Sequence, residues 1–346
     1  MRGNVYRMTE STAPKVSSMR IGCLGAARIT PPAIVHPSKV RPGAVLQVVA
    51  ARDLSRAQAF ADTHGFARAA DDYEALVSAD DVDLVYNALP INLHAEWCIK
   101  ALEAGKHVLC EKPFAMNAQE ARAVLAAARK AGKRVIEAFH YRYHPGYLQV
   151  LAWIDAGEIG SVTAIDAKFN VAIDDRGGEE IRHLPETGGG AFMDLGCYPL
   201  SWTLNIMRGH PAHIQARAEL TSRGVDESLS AELTYPGAIK AKLSASMAHG
   251  QAFAASLHVK GTKGEIDFIN PLAPHYGANL TLKAGFKNVT ARVSRIATYV
   301  WQLETVLHAL DAALPLPTEG EGILLQQETL DAIYDAAGLR GLRYRE

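Results

Sequence analysis

The sequence predicts an α/β protein in two parts, a doubly wound parallel sheet followed by an α+β part with an open, largely antiparallel sheet. Between residues 19 and 144, apolar runs of strand length alternate with helical patterns. Beyond residue 146, such runs instead follow one another through short glycine-containing turns. The length of 346 residues, 48% of them hydrophobic, is enough for two separate cores.

Composition and charge exclude several classes of protein. The formal net charge of −1 gives no electrostatic footprint for nucleic acid or an anionic membrane. Residues 1–18 are polar and read as a disordered lead-in, neither a signal peptide nor a membrane helix. The four cysteines lie in separate elements without metal-ligand spacing, which predicts reduced structural thiols, no metal site and a cytoplasmic location: Cys23, Cys98, Cys110 and Cys197.

The first predicted strand turns into a helix through small residues. Gly25 takes the first glycine position of a dinucleotide fingerprint, while Ala27 and Thr30 replace the second and third glycines. Small residues allow the backbone to approach a pyrophosphate, and the amino terminus of the helix would offer N–H groups to the anion. The degenerate motif is weak alone. It predicts a cofactor site at Gly25, Ala27, Arg28 and Ile29.

The end of the second predicted strand, residues 45–50, bears on the choice of cofactor. NAD sites place a carboxylate here for the ribose 2′-hydroxyl, whereas a 2′-phosphate favours a neutral residue with an arginine beside it. Ala51 followed by Arg52 fits the phosphate, so NADP is predicted and NAD stays an alternative. Asp53 either caps a helix over residues 54–64 or accepts from a hydroxyl.

A loop follows the predicted strand 84–88, at the carboxyl edge where open α/β sheets bind ligands. His94 either contacts the cofactor or lies exposed in the first turn of the helix predicted over residues 92–104, and the sequence favours neither. The candidate cofactor contacts of this loop are Leu89, Pro90, Asn92 and His94.

The predicted strand 106–110 ends at Glu111 and Lys112, because Pro113 cannot continue the ladder. A lysine at this edge is a candidate for polarising a hydroxyl or a carbonyl. A Glu-Lys pair seen alone would be read as a surface ion pair.

The second part contains one segment that is not a strand. Residues 188–199 are rich in glycine and lead into a helix that runs to about residue 207. An i to i+4 spacing places Asp194 and Tyr198 on one face of that helix. Other predicted elements are helices over residues 117–131, 146–156, 298–314 and 322–338, and strands over residues 162–173, 213–221, 228–235, 239–247, 254–259 and 265–268.

Several short motifs together resemble the Gfo/Idh/MocA oxidoreductase family, over the chain from about residue 19 to the end. They are Glu111-Lys112-Pro113, Asn92-x-His94, the segment 101–108, and the Gly-Gly-Ala-x-x-Asp-x-Gly-x-Tyr run over residues 189–198. Segments 48–57 and 137–145 resemble the branch containing dimeric dihydrodiol dehydrogenase, NADP-dependent xylose dehydrogenase and glucose-fructose oxidoreductase.

The resemblance implies a domain organisation and a set of partners. Residues 19–144 would form a Rossmann domain that binds NADP(H), and residues 145–346 a substrate-binding and oligomerisation domain. The open sheet of the second domain would join a homodimer or homotetramer. A sugar or polyol would be the small-molecule substrate.

The resemblance also implies two catalytic residues, Lys112 and Tyr198. Lys112 would contact the nicotinamide and the reacting oxygen, and Glu111 would lie beside it at the cofactor. Tyr198 would move the hydroxyl proton. A phenol with a pKa near ~10 is a poor base unless a cation favours the phenolate, and the Lys112 ammonium could supply that charge. In the reductive direction the phenol donates its proton and needs less help.

Three further polar residues are candidate substrate contacts. Asp194 would accept from a substrate hydroxyl or cap its helix. Arg142 would line the cleft or make a salt bridge between the domains. His183, in a predicted loop over residues 174–189, would cover the substrate or lie on plain surface. His140 has no predicted role.

The expected function is an NADP(H)-dependent oxidoreductase that interconverts a secondary alcohol and a ketone or lactone. Its substrate would be a sugar, a cyclic polyol or a vicinal dihydrodiol. One alternative is a glycoside-cleaving enzyme of the same family that oxidises its substrate transiently. Another is a silent regulator that senses the cofactor or a sugar, which would be expected to lack the lysine or the proton donor.

Overall fold

The computed structural model describes residues 18–344, and its first domain is built on a six-stranded parallel sheet. The strand order is that of a dinucleotide-binding Rossmann sheet, β3-β2-β1-β4-β5-β6 from edge to edge. The strands are β1 (Met19–Leu24), β2 (Ala44–Ala50), β3 (Arg68–Ala70), β4 (Leu84–Asn87), β5 (His107–Cys110) and β6 (Val135–Glu137). The predicted fold of this part is confirmed.

Helices cover both faces of the sheet, which is why its central strands are mostly apolar. The helix after β2 begins and ends where the sequence predicts. Asp53 accepts a hydrogen bond from Arg56 N at 2.8 Å, and Gly65 closes the helix in a left-handed conformation with φ 84°. The helices are α1 (His36–Val40, entered through a π-helical turn at Pro31–Val35), α2 (Leu54–His64), α3 (Tyr73–Val77), α4 (His94–Glu103) and α5 (Ala118–Ala131).

The second domain contains an eight-stranded sheet, antiparallel except where β7 pairs with β10. Its strands are β7 (Val162–Asn170), β8 (His213–Leu220), β9 (Asp226–Tyr235), β10 (Ile239–Ser246), β11 (Ala254–Gly261), β12 (Gly264–Ile269), β13 (Asn279–Ala284) and β14 (Lys287–Thr290). The order is β14-β13-β12-β11-β7-β10-β9-β8. The predicted open, largely antiparallel sheet is confirmed.

Strand β7 shows how one face of this sheet is covered. Ile165, Ala167 and Phe169 are buried, whereas Asp166 and Lys168 are exposed on the opposite face. Helices α6 (Pro145–Asp155) and α7 (Cys197–Met207) contribute side chains to the same buried cluster. Two helices close the chain, α8 (Thr298–Asp311) and α9 (Glu321–Ala336).

The sequence missed three strands, β3, β13 and β14. Strand β3 has three residues that pair with the end of β2, too few to show a period. Strand β14 is mostly exposed, so it has no apolar run to mark it. Short edge strands of this kind depend on a preformed neighbour for their hydrogen bonds.

The chain returns to the first domain near its end. Trp301, Val306 and Leu307 of α8 pack in the apolar cluster beneath the Rossmann sheet, and Glu137 N donates to Thr318 O at 2.8 Å. The division of the chain at residue 144 stays a prediction, and α8, which lies beyond that residue, packs against the first domain. The predicted lead-in lies outside the described residues, save for residue 18. No helix within residues 18–344 is long and apolar enough to cross a membrane.

Candidate active site

The first domain and the second meet at a buried ion pair between Lys112 and Asp194. Lys112 follows β5, and its Nζ lies 2.7 Å from Asp194 Oδ1 and 2.9 Å from the Asp194 carbonyl oxygen. Asp194 lies in a π-helical turn, Phe192–Gly196, that leads into α7. The side chains are 13% and 17% exposed. The lysine and the carboxylate predicted from separate motifs are therefore in direct contact.

A second cation, Arg182, completes this cluster. Its Nε lies 2.6 Å from Asp194 Oδ2, so each carboxylate oxygen of Asp194 binds one cation. Sequence reasoning missed Arg182 because nothing in its loop indicated where the side chain would point. The alternative that Asp194 caps its helix is wrong, since its side chain makes no cap hydrogen bond.

Both charges of the Lys112–Asp194 pair are stabilised. Burial raises the pKa of Asp194, but Lys112 and Arg182 outweigh this and hold the pKa well below its ordinary value. Burial lowers the pKa of Lys112, and Asp194 outweighs it, so that the pKa is raised. The pair therefore remains a carboxylate and an ammonium at neutral pH.

Tyr198 lies on the same helical face as Asp194, and Lys112 Nζ is 5.0 Å from its ring centroid. The ring is 4% exposed and meets Phe139 and Phe169 edge-on, with centroids 5.5 and 5.7 Å away. Burial and nearby carboxylates raise the pKa of Tyr198 well above its ordinary value. The expectation that Lys112 favours a phenolate is wrong for this arrangement, because the ammonium is already held by Asp194. The group present is a phenol.

The Tyr198 hydroxyl has one protein partner among the described residues, His140. His140 Nε2 lies 3.3 Å from Tyr198 Oη, and its Nδ1 lies 2.7 Å from Thr298 Oγ1. The ring of Tyr299 packs on the imidazole with centroids 4.0 Å apart. In the sequence, the one sign that His140 could lie at the site is its position just beyond the carboxyl end of β6.

The residues after β1 fit the pyrophosphate of a dinucleotide. Gly25 has φ 95°, and a Cβ there would lie 3.3 Å from Ala88 O, so a larger residue would be both strained and crowded. The expected donors at the amino terminus of the helix need correcting, because Pro31 and Pro32 occupy its first turn and have no N–H. Arg28 and Ile29 are not prolines, so each has a backbone N–H group. Among the described residues, neither N–H group binds a protein acceptor. Ala27 in this turn is half-buried.

The residues after β2 fit a 2′-phosphate. The Asp53 carboxylate accepts from Arg56 N at 2.8 Å and Ser55 Oγ at 2.7 Å, which settles its role as a helix cap. Arg52 is exposed and makes no ion pair within residues 18–344. Arg56, which the sequence did not single out, donates from Nη2 to Ala26 O at 3.0 Å and so joins α2 to the phosphate turn.

His94 joins two loops at the carboxyl edge of the first sheet. Its Nδ1 lies 3.0 Å from Pro113 O and its Nε2 lies 2.8 Å from Leu89 O. The side chain is 1% exposed, so the exposed alternative is wrong. Burial lowers the pKa of His94 to about 4, which keeps the ring neutral. Pro90 is half-buried and Asn92 is exposed in the short turn that precedes α4.

Glu111 and Glu137 are two buried carboxyl groups close enough to Lys112 for its charge to act on them. Glu111 Oε1 accepts from Tyr86 Oη at 2.7 Å, and Glu137 Oε1 accepts from Phe114 N at 3.1 Å. Burial raises the pKa of both, that of Glu137 to about 8. In the structure, the Glu111 carboxyl group accepts from Tyr86 Oη and from Lys112 N. Its predicted contact with the cofactor stays a prediction.

The two remaining candidate substrate contacts are Arg142, which is half-buried, and His183, which is buried and hydrogen-bonded. Arg142 is half-buried, and no ion pair involves it among the described residues, so the structure gives no support to a salt bridge between the domains. His183 is 7% exposed, and its Nε2 lies 2.7 Å from Ile173 O. The surface alternative for His183 is therefore wrong, and its ring fixes the loop that carries Arg182.

The fold and the site define a class, a dinucleotide-binding protein with a lysine and a phenol at the carboxyl edge of a Rossmann sheet. Comparison with known proteins agrees. A model of the oxidoreductase family with an NAD-binding Rossmann fold matches residues 19–139, and a model of the GFO/IDH/MocA C-terminal domain matches residues 147–267. The chain belongs to the Gfo/Idh/MocA oxidoreductase family, which confirms the resemblance seen in its motifs.

Individual relatives match nearly the whole chain. D-xylose 1-dehydrogenase (NADP(+)) 2 of Haloferax volcanii is 32% identical, over 92% of this chain and 97% of the relative. dTDP-3,4-didehydro-2,6-dideoxy-alpha-D-glucose 3-reductase of Streptomyces violaceoruber is 33% identical, over 94% and 97%. A solved structure of KijD10, a 3-ketoreductase from Actinomadura kijaniata in complex with NADP and TDP-benzene, has a TM-score of 0.83 at 27% identity, covering 92% and 98%.

Proposed function

We propose that this protein is an NADP(H)-dependent oxidoreductase that reduces a ketone on a sugar-like ring, or oxidises the corresponding secondary alcohol. The observation that carries the proposal is the meeting of Lys112 with Asp194 and Tyr198 across the domains. The relatives support the substrate class, since they include a xylose dehydrogenase, a 3-reductase of a didehydro-dideoxy-glucose and a 3-ketoreductase.

Lys112 would orient the substrate oxygen. An ammonium has three N–H bonds, and two of them point to Asp194 Oδ1 and to the Asp194 carbonyl oxygen. The third is left for the carbonyl or hydroxyl oxygen of the substrate. Asp194 keeps the ammonium charged and fixed, so little reorganisation would accompany the reaction.

Tyr198 would move the proton. The raised pKa favours the phenol, which is the form that donates to the oxygen of a ketone as it becomes an alcohol. Bound NADPH would supply the hydride for the carbonyl carbon. The protonated form of Tyr198 is therefore the one suited to the reductive direction.

Arg52 would recognise the 2′-phosphate of NADP(H). It is an exposed arginine beside a carboxylate that is already engaged as a helix cap, so no free carboxylate there accepts a ribose 2′-hydroxyl. The xylose dehydrogenase and the 3-ketoreductase named above also support NADP.

The test follows NADPH absorbance with a panel of substrates, namely D-xylose, D-glucose and a vicinal dihydrodiol with NADP⁺, and 3-keto-D-glucose with NADPH. We expect turnover of at least one, and a loss of about 10²-fold or more in Tyr198→Phe and in Lys112→Ala. Both variants should still bind NADPH, measured by its fluorescence.

Two results would count against the proposal. Tyr198→Phe with unchanged turnover would remove the phenol from the reaction. A protein that binds NADPH but turns over no member of the panel would be better described as a sensor of the cofactor.

A further inference from the structure

A buried chain of three hydrogen-bonding side chains runs away from the reacting edge of Tyr198. It links Tyr198 Oη to His140 Nε2 at 3.3 Å, and His140 Nδ1 to Thr298 Oγ1 at 2.7 Å. The three residues come from α7, from the turn after β6 and from the start of α8. Their exposed fractions are 4%, 3% and 0%, so the Thr298 hydroxyl is fully buried, whereas Tyr198 keeps a small exposed area through which a substrate or water can bind its oxygen.

The partner of Thr298 decides which nitrogen of His140 carries the proton. A fully buried hydroxyl needs an acceptor for its proton, and Nδ1 of His140 is the one acceptor within hydrogen-bond distance among the described residues. Nδ1 accepts only if it is unprotonated. In a neutral imidazole the proton then lies on Nε2, which faces Tyr198 Oη.

Burial and the Lys112 ammonium favour the neutral ring of His140. Burial is the largest influence on the pKa of His140, and Lys112, followed by the imidazoles of His275 and His144, acts in the same direction, so that the pKa is held well below its ordinary value. The ring of Tyr299 packs on the imidazole, and the ring of Tyr198 meets it edge-on. An imidazolium in this position would lie close to the Lys112 ammonium.

We propose that His140 is a positioning residue that donates a hydrogen bond from Nε2 to the Tyr198 oxygen, and so directs the Tyr198 hydroxyl proton towards the substrate. Thr298 fixes the tautomer by donating to Nδ1. This rests on the proposed role of Tyr198 as the proton donor.

The proposal accounts for both stages of proton transfer in the reduction. Before the transfer, an oxygen that accepts from Nε2–H cannot also give its proton to that nitrogen, so the Tyr198 proton is free for the ketone oxygen. The ketone carbon would gain a hydride from NADPH, which leaves NADP⁺; the ketone oxygen would gain the phenolic proton, and Tyr198 would be left as a phenolate. The hydrogen bond from Nε2 stabilises the phenolate until water returns its proton after the product leaves.

The first test observes the tautomer directly in the whole protein, with no substrate. In ¹⁵N-histidine-labelled protein the resonance of His140, one of 13 histidines, is assigned as the one lost in His140→Met. We expect the shifts of a neutral imidazole protonated on Nε2, unchanged from about pH 6 to pH 9. A ring protonated on Nδ1, or charged at pH 7, would overturn the proposal whatever the enzyme turns over.

The second test uses the Thr298 hydroxyl, because Thr298→Val keeps the shape of the side chain and Thr298→Ser keeps the hydroxyl. With 3-keto-D-glucose and NADPH, or with the best member of the substrate panel, we expect Thr298→Val to lower kcat about tenfold, the size of one hydrogen bond in the transition state. KM for NADPH should not change, and Thr298→Ser should restore kcat.

The outcomes separate this inference from the proposed function. Equal kcat values in Thr298→Val and the parent protein would overturn the role of His140 while leaving Tyr198 as the donor. A Thr298→Val variant whose KM for NADPH rises with kcat intact would overturn it too, because the hydroxyl would then serve only the folding of the cofactor site. Turnover that survives Tyr198→Phe would instead refute the proposed function, and with it the purpose of the hydrogen-bond chain.

Discussion

Removing the buried ion pair between Lys112 and Asp194 in a double-mutant cycle tests the contact on which the site depends. The cycle comprises Lys112→Met, Asp194→Leu and the double variant. Asp194→Leu leaves the Lys112 ammonium without a carboxylate partner, and Lys112→Met leaves Asp194 with Arg182 alone, in a site where the Lys112 and Asp194 side chains are 13% and 17% exposed. We expect each to lower the free energy of unfolding by about 3 kcal/mol, and the double variant by much less than the sum.

The expected coupling energy follows from distance and burial. Nζ and Oδ1 are 2.7 Å apart. Two unit charges about 4 Å apart attract by ~4 kcal/mol at an effective dielectric constant of about 20, and desolvation reduces the net value. We therefore expect a coupling of roughly 2–4 kcal/mol. Asp194→Leu also removes one of the two carboxylate partners of Arg182 and leaves Glu180, 2.9 Å from Arg182 Nη1. That loss occurs with and without Lys112, so it cancels in the coupling energy.

A matched control comes from the surface of the second domain. Lys287 Nζ and Glu158 Oε1 are also 2.7 Å apart, but the side chains are 44% and 30% exposed. The same cycle there, with Lys287→Met and Glu158→Leu, should give a coupling below ~1 kcal/mol. Both cycles are measured by urea unfolding, followed by tryptophan fluorescence. Equal couplings in the two pairs, or additivity within about 0.5 kcal/mol at Lys112 and Asp194, would refute the reasoning.

Three further predictions concern the first domain. Arg52→Ala should weaken NADPH binding at least tenfold and NADH binding little, in fluorescence titrations, because only NADPH carries the 2′-phosphate. Gly25→Ala should lower the free energy of unfolding by about 1–2 kcal/mol because φ is 95°, and should also weaken NADPH binding because the new Cβ crowds the turn. Glu137→Gln should gain stability relative to the parent protein as the pH rises from 5 to 8. The folded pKa of Glu137 is raised to about 8, so its contribution is fully present below the unfolded value of about 4 and is lost as the pH rises towards 8, by at most ~1.4 kcal/mol per unit.

Two of these predictions have a control variant in the same chain, and the third has an outcome that would contradict it. Arg217→Ala removes an exposed arginine from β8 and should leave both cofactors bound as before. Gly65 has φ 84°, and a Cβ added there would meet no atom within 4 Å, so Gly65→Ala should cost stability without weakening NADPH binding. For Glu137→Gln, urea unfolding curves that shift in parallel with the parent protein at every pH would contradict a raised pKa.

The sequence determined the fold of the first domain almost completely. Parallel strands buried on both faces must be apolar throughout, and the helices between them need caps, so both leave marks in the chain. Asp53 illustrates this, because a residue suited to capping precedes a helix whose bounds follow correctly from the residue pattern. Two of the missed strands, β3 and β14, are short or exposed, and such strands are specified by the neighbour that they pair with. The third, β13, has two buried leucines in alternation, Leu280 and Leu282, a signal that the sequence carried and that was overlooked.

The sequence by itself also determined which residue types could do the chemistry. Lys112 ends a buried strand, and Asp194 and Tyr198 share a helical face; these are consequences of local periodicity, which a chain carries in its residue order. Only the tertiary structure decided how they meet. Contacts of Lys112 with Asp194, of Arg182 with Asp194 and of Tyr198 with His140 join segments whose distance in space depends on how two domains pack. The protonation states follow from burial and from those contacts, and so they too belong to the folded molecule.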